Sequence, residues 1–242
     1  MAFAFKAAGF DPVDFHMTDI IGDHTFSDFV SIAACGGFSY GDVLGGQGWA
    51  KSILMHEENA RPEFQPFFAC PDTFALGIWN GCQMLTRIAE LVPGIKHWPL
   101  FLENQSEQFE AGVSIVKIQG DTKNPSVFLH GMHGSSLPIA VSHGEGHASF
   151  KHQQDLEAIN EHCLILIRYT DRGSVTTRYP FNPNGSSEGI AEVRSLDGRV
   201  LAKMPRPKQT FMADAGSYVP KEKADQRGEF GPWVRMFRSA RR

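Results

Sequence analysis

Residues 77–84, Gly-Ile-Trp-Asn-Gly-Cys-Gln-Met, hold the densest chemical signal in the chain. A continuous apolar run, 73–79, leads into them and an amphipathic stretch, 80–92, leads out, which is the pattern of a strand turning sharply into a helix. A side chain at the apex of such a turn is pushed into a cleft, with glycines on both sides where no Cβ fits. The helix N-terminus behind it favours developing negative charge. Enzymes mount a nucleophile on this turn. Here Gly77 and Gly81 flank the apex and Trp79 occupies it; an indole has an N–H donor and no nucleophilic lone pair. Cys82 lies three residues past the apex, about one turn into the helix. It reads either as a surrogate nucleophile or as a buried packing thiol.

Two histidine pairs are the other chemical candidates: His130 with His133, and His143 with His147. Spacings of three and four suit a metal when a helix aligns the side chains. Both pairs sit beside glycines instead, so they read as loop histidines making local hydrogen bonds, and no metal is expected. Cys35, Cys70, Cys82 and Cys163 show no CxxC spacing and read as free thiols of a reducing compartment. Cys35 reads as structural, ending a strand under a glycine-rich turn.

The elements that must position these residues alternate between short apolar runs and helical stretches. Residues 1–8 read as a helix stopped by Gly9. Strands are expected over 13–17, 29–35 and 73–79, and helices over 48–59 and 80–92. The second half is richer in strands: 113–118, 126–130, 137–143, 163–169, 189–195 and 199–204. Asn184-Gly185 and Asp197-Gly198 mark turns, the latter between two alternating runs as in a hairpin. A last helix is expected over 232–242. Strand, glycine turn and helix in this order are the grammar of a parallel α/β sheet. Residues 1–242 read as one domain, without internal repeat or low-complexity tract.

Composition narrows the function. With 42% hydrophobic and 21% charged residues the chain is an ordinary globular one. Its 23 Lys and Arg against 27 Asp and Glu leave no basic excess to neutralise phosphates, so nucleic acid is not an expected partner. No apolar run approaches the roughly 18 residues of a membrane span. The start lacks the flanks of a signal peptide, and a cytoplasmic location is expected.

The elbow resembles the G-x-C-x-G-x-Q segment of class I glutamine amidotransferases. More closely, the chain resembles the glutaminase domain of phosphoribosylformylglycinamidine synthases of the large single-chain type. The blocks MAFAFKAAGF, VDFHMTDII, ACGGFSYGDVLG, GWAKSIL, DTFALG, NGCQM, LPIAVSHGEG, YPFNPNGS, GIAEV and GPWVRMFRSAR carry the resemblance in order over nearly the whole sequence. It implies a flavodoxin-like α/β fold, with a mostly parallel central sheet flanked by helices and additional antiparallel strands. It also implies a domain that hydrolyses glutamine and sends ammonia to a synthetase portion. ATP and magnesium would belong to that portion, with no cofactor in this domain. Gly37 and the Asn80 amide would be oxyanion donors, and Phe38 and Gln83 would line the substrate site.

The departures from the family decide the chemistry. Its thiol nucleophile falls on Trp79. Its P-H-P-E segment, which carries the base and the orienting carboxylate, falls on Pro205-Arg206-Pro207-Lys208. Arginine is no base near neutral pH, and Lys208 cannot orient a histidine as a carboxylate would. Losing members of such a triad costs roughly 10⁴–10⁶ in rate. Gln108 stands where the family commonly has arginine, and the turn between Leu44 and Trp49 is one residue shorter than usual. Both weaken the expectation of glutamine binding. Relative to a neutral histidine and a glutamate, the local charge rises by one unit at Arg206 and two at Lys208. The pocket is therefore expected to be cationic and open to an anion, or to have drifted without chemical demand.

The chain opens inside what the resemblance makes the first helix, so the family's preceding central strand is expected to be missing. Unpaired sheet edges, low stability, self-association or a partner that completes the sheet would follow. Two readings stand: an inactive pseudo-amidotransferase module or fragment, and a working glutaminase domain that uses unexpected residues such as Cys82.

Overall fold

The computed structural model describes residues 1–22, 24–37, 44–56, 58–120, 126–213, 215 and 228–241. Strand β2 (Phe74–Ile78) lies inside a four-stranded sheet. Its run is apolar without alternation because both faces are covered. Strand β1 (Ser31–Cys35) runs parallel to one side of it, with Ala34 opposite Gly77. Strand β10 (Val200–Lys203) runs parallel to the other side, and β9 (Glu192–Arg194) pairs antiparallel with β10. The order is β1-β2-β10-β9. The β9–β10 connection is the Asp197-Gly198 hairpin, with Gly198 at φ 74° and the Ser195 N–H donating to Val200 O at 2.9 Å.

Helix α5 (Asn80–Arg87) leaves the end of β2, and every residue in it but Arg87 is buried. It sits directly on β1 and β2. A Cβ on Gly81 would overlap the Ala34 carbonyl, and one on Gly77 would strike the Gly81 carbonyl and Leu85. Helix α3 (Gln47–Met55) packs beside α5. Helix α4 (Ala60–Ala69) carries Phe64, Phe67 and Phe68 into the core. Phe26 meets Phe64 edge to face at 5.0 Å. Helix α1 (Ala2–Ala7) packs on the last helix, α7 (Val234–Ser239), through Phe5 and Phe237 at 5.3 Å. Arg241 Nε donates to the Gly9 carbonyl at 3.0 Å.

A second sheet has the order β5-β4-β7-β8, built from β4 (Glu110–Ile118), β5 (Ser136–His143), β7 (Ile167–Asp171) and β8 (Ser174–Val175). Strands β3 (Leu100–Leu102) and β6 (His147–Ser149) form a separate antiparallel pair. The two larger sheets meet where Arg206, just past β10, bridges Ala140 of β5.

Several expected strands differ. Residues 13–16 join no strand pairing among the described residues, and Val13 is exposed. An apolar alternation without a neighbouring ladder makes no strand. Helix α2 (Met17–Ile21) takes over there. Its start is fixed by His16 Nδ1, which accepts from Thr18 N–H, and by the Asp19 carboxylate, which accepts from His16 N–H at 2.8 Å. Residues 126–130 form turns that plug Phe128 and Leu129 into the core. The run from 163 becomes a strand only at Ile167, because Cys163 turns left-handed at φ 53° to close α6 (Gln153–Glu161). Sequence patterning missed α6 and α4. The first is polar apart from Leu156 and Ile159, and the second contains Pro66. Strand β1 pairs only with β2 among the described residues.

The α5 seat predicts the effect of one methyl group. Gly81→Ala drives a Cβ into backbone that cannot move aside alone, so stability falls by about 3 kcal/mol. A shift of the urea midpoint at unchanged slope measures it.

Candidate functional site

The apex of the β2–α5 turn holds Trp79 at φ 60°, ψ −117°, a backbone conformation that costs strain in any residue but glycine. The turn is pinned from behind. Trp79 N–H donates to Lys203 O on β10, and Trp79 O accepts from Gln83 N–H, each at 3.1 Å. The indole is only 4% exposed. It lies against Gly36, where any Cβ would overlap its six-membered ring. On the indole face lies Arg206, with its guanidinium carbon 3.4 Å from the ring centroid. That is cation–π stacking in a desolvated setting. Arg206 is itself 5% exposed, and its Nη2 donates to the Ser142 carbonyl. Two of the three positions expected to carry the triad, 79 and 206, are thus pressed together and sealed. Lys208, the third, is half-buried in the short 3-10 turn Pro207–Thr210. Its charge is felt at Cys35, where it opposes the rise in thiol pKa that burial causes.

One of the two expected oxyanion donors, Gly37, is engaged within the protein. The Gly37 N–H donates to Asn80 Oδ1 at 3.0 Å, so it is spent on a side chain. Asn80 Nδ2 donates to Gln83 Oε1 at 3.1 Å, and Gln83 Nε2 donates to the Glu145 carbonyl at 2.7 Å. Gly37, Asn80, Gln83 and Glu145 therefore form one hydrogen-bonded chain that ties the residues just past β1 to the loop after β5. Phe38, expected at the substrate site, lies outside the described residues. Gln108 is exposed. Arg87 holds the 44–46 turn, donating from Nε to Gly45 O at 2.6 Å and from Nη2 to Leu44 O at 3.2 Å.

Cys82 is not at the apex. It is fully buried in α5, and burial, with Glu192 second, pushes its thiol well above its ordinary pKa. A thiol held protonated and away from solvent is in the setting of the packing reading rather than that of a surrogate nucleophile. Arg206 also departs from expectation: its guanidinium faces a ring and a carbonyl rather than an open anion pocket. The histidines do not gather, since no group of three or more metal-binding side chains comes together among the described residues.

His143 is the site residue whose importance the sequence hid. It is 1% exposed, and neither ring nitrogen has a hydrogen-bond partner among the described residues. Burial, reinforced by the Arg206 charge, lowers its pKa to about 3. The imidazole is a neutral wall beside a buried cation. In the sequence it stood out as half of a histidine pair beside Gly144 and Gly146, and the second glycine lets the ring pack against backbone.

A glycine-seated elbow leaving a strand with parallel neighbours is the feature that the resemblance to glutamine amidotransferases implies. The family model described as a CobB/CobQ-like glutamine amidotransferase domain matches residues 1–242, and the chain belongs to that family. Its similarity to phosphoribosylformylglycinamidine synthase of Saccharomyces cerevisiae is 52% identity over 250 residues, covering 100% of this chain and 18% of the relative. The same-named protein of Schizosaccharomyces pombe is 52% identical over 246 residues, again 100% of this chain and 18% of the relative. The chain thus spans less than a fifth of the length of these curated relatives. Among solved structures, PurLQS from Thermotoga maritima matches with a TM-score of 0.64 at 22% identity, covering 99% of this chain and 89% of that chain. That likeness shows the α/β fold expected from the sequence.

The buried imidazole sets a pH dependence. Its folded pKa lies below its unfolded value of 6.5, so its stabilising effect is complete above pH 6.5 and is lost as pH falls toward 3. Stability should drop by on the order of 4 kcal/mol across that window. In urea melts taken as a pH series, His143→Gln should flatten this slope; an unchanged slope would assign the loss to other groups.

Proposed function

We propose that this chain is a non-catalytic relative of the glutaminase domain of phosphoribosylformylglycinamidine synthase, a pseudo-amidotransferase module rather than a working glutaminase. One observation carries the reading: Arg206 stacks on Trp79 at the turn apex and excludes solvent from it. Glutamine hydrolysis needs a thiolate at that apex and a base beside it. Here an indole fills the volume a substrate amide would take, and a permanent cation lies where the base would act. The Gly37 amide, which would steady a tetrahedral oxygen, is already engaged.

What remains is a rigid module suited to binding a synthetase portion in the cytoplasm, within purine biosynthesis. Supporting this, the curated relatives embed the equivalent stretch in a much longer chain. The outer face of β4 also leaves Val113 and Ile115 exposed, with Phe109 and Tyr179 alongside, and exposed apolar patches of this kind mark association surfaces. ATP and magnesium would be bound by the synthetase portion. The second reading, glutamine hydrolysis through Cys82, gains no support from a thiol buried in α5.

Ammonium release from glutamine tests the proposal. The chain as it stands should give none above buffer. Trp79→Cys alone should stay inactive, because Arg206 cannot take the thiol proton. The triple variant Trp79→Cys, Arg206→His, Lys208→Glu should raise the rate by roughly 10³-fold or more. Thiol-reagent-sensitive ammonium release by the unaltered chain would overturn the reading.

A further inference from the structure

Below the turn, the β9–β10 register sets Glu192 directly opposite Lys203. Both side chains are fully buried, and isolated charges are rarely tolerated there. Each has its own seat. Glu192 Oε1 accepts the amide hydrogens of Leu166 and, at 3.0 Å, of Ile167. Lys203 Nζ lies 3.5 Å from the centroid of the Trp233 ring, whose indole N–H donates to Pro138 O at 2.8 Å. Neither Glu192 Oε2 nor Lys203 Nζ has a hydrogen-bond partner among the described residues. The two groups are held separately and act on each other through the low-dielectric core.

We propose that Glu192 and Lys203 are a mutually dependent charge couple: each is tolerated in the core because the other is there. Together they fasten β10, whose Lys203 carbonyl takes the Trp79 N–H, to β9 and to the start of β7. The neighbouring charges sharpen the assignment. Burial raises the Glu192 carboxyl to about 7, while its two amide donors, Lys203 and Arg194 pull it down. Burial pushes the Lys203 ammonium well down, and Glu192 alone opposes that. Arg194 lies two residues along β9 and is committed to the Cys163 carbonyl. Lys203 therefore depends on Glu192 more than Glu192 depends on Lys203.

A double-mutant cycle on the full chain tests this by thermal melting. Glu192→Gln keeps an acceptor for the two amides and strands Lys203. Lys203→Met keeps the packing on Trp233 and strands Glu192. Each single variant should lower Tm by about 10 °C, with Glu192→Gln the larger loss. The double variant should melt within about 3 °C of the parent. Losses that simply add, or a Lys203→Met variant that melts higher than the parent, would overturn the couple. Where a single variant does not fold, the comparison is between the other single and the double. Recovery in the double supports the proposal, and a double no better than the surviving single refutes it.

Discussion

The close seat of α5 on β1 and β2 is the constraint from which the site follows. Helix and sheet touch through backbone, with Gly81 facing the Ala34 carbonyl and Gly77 facing the Gly81 carbonyl. That contact leaves no length for a relaxed connection, so the chain must turn within one residue, and Trp79 takes the left-handed conformation. The strain is held by hydrogen bonds to Lys203 and Gln83 on either side and by a helix buried almost all round. The apex side chain is aimed by this packing whatever its chemistry. Persistence of the elbow is therefore a statement about α5 packing and says nothing about a nucleophile.

Once the apex is an indole, its surroundings follow from ordinary physics. A large flat ring with a negative face sits next to a position that holds arginine, and stacking removes both from water. The buried cation then needs acceptors, and the Ser142 carbonyl is one of them. It also adds to burial, the larger cause, in lowering the His143 pKa to about 3. Trp79 and Arg206 thus form a packed pair. Two residue types that could not carry triad chemistry are structurally compatible with one another.

The legible part of the chain was the part whose geometry depends on local sequence. Glycines at 77 and 81 between an apolar run and an amphipathic one specify the elbow, and Asp197-Gly198 specifies the hairpin. The strand expected at 13–17 failed because strand formation depends on a neighbour, which no local pattern contains. Helix α4 hid behind its prolines, and α6 behind a mostly polar surface. At the site, residue types showed that Trp79 and Arg206 could not perform triad chemistry. They could not show that the two stack, or that Asn80 spends the Gly37 amide, since each of these is a contact between residues far apart in sequence. The family resemblance pointed to the Gly37 and Asn80 amides as oxyanion donors, and the fold engages the first of them with the Asn80 side chain.

The core beneath the elbow extends the same logic to charge. Glu192 and Lys203 stand at inward positions of strands that otherwise read as apolar, where a lone charge contradicts the pattern. The contradiction eases when the strands are paired, because the register brings the carboxyl and the amine to one level of the hairpin. Lys203 is also the residue whose carbonyl pins Trp79, so the support of the apex passes through this hairpin. A substitution at the apex is absorbed when the strand under it is anchored independently of the apex side chain. Here the anchor is the seat of Glu192 on the Leu166 and Ile167 amides and of Lys203 on Trp233. These contacts make no use of a thiol, a base or a substrate, and they leave the fold free to keep its shape after its chemistry changes.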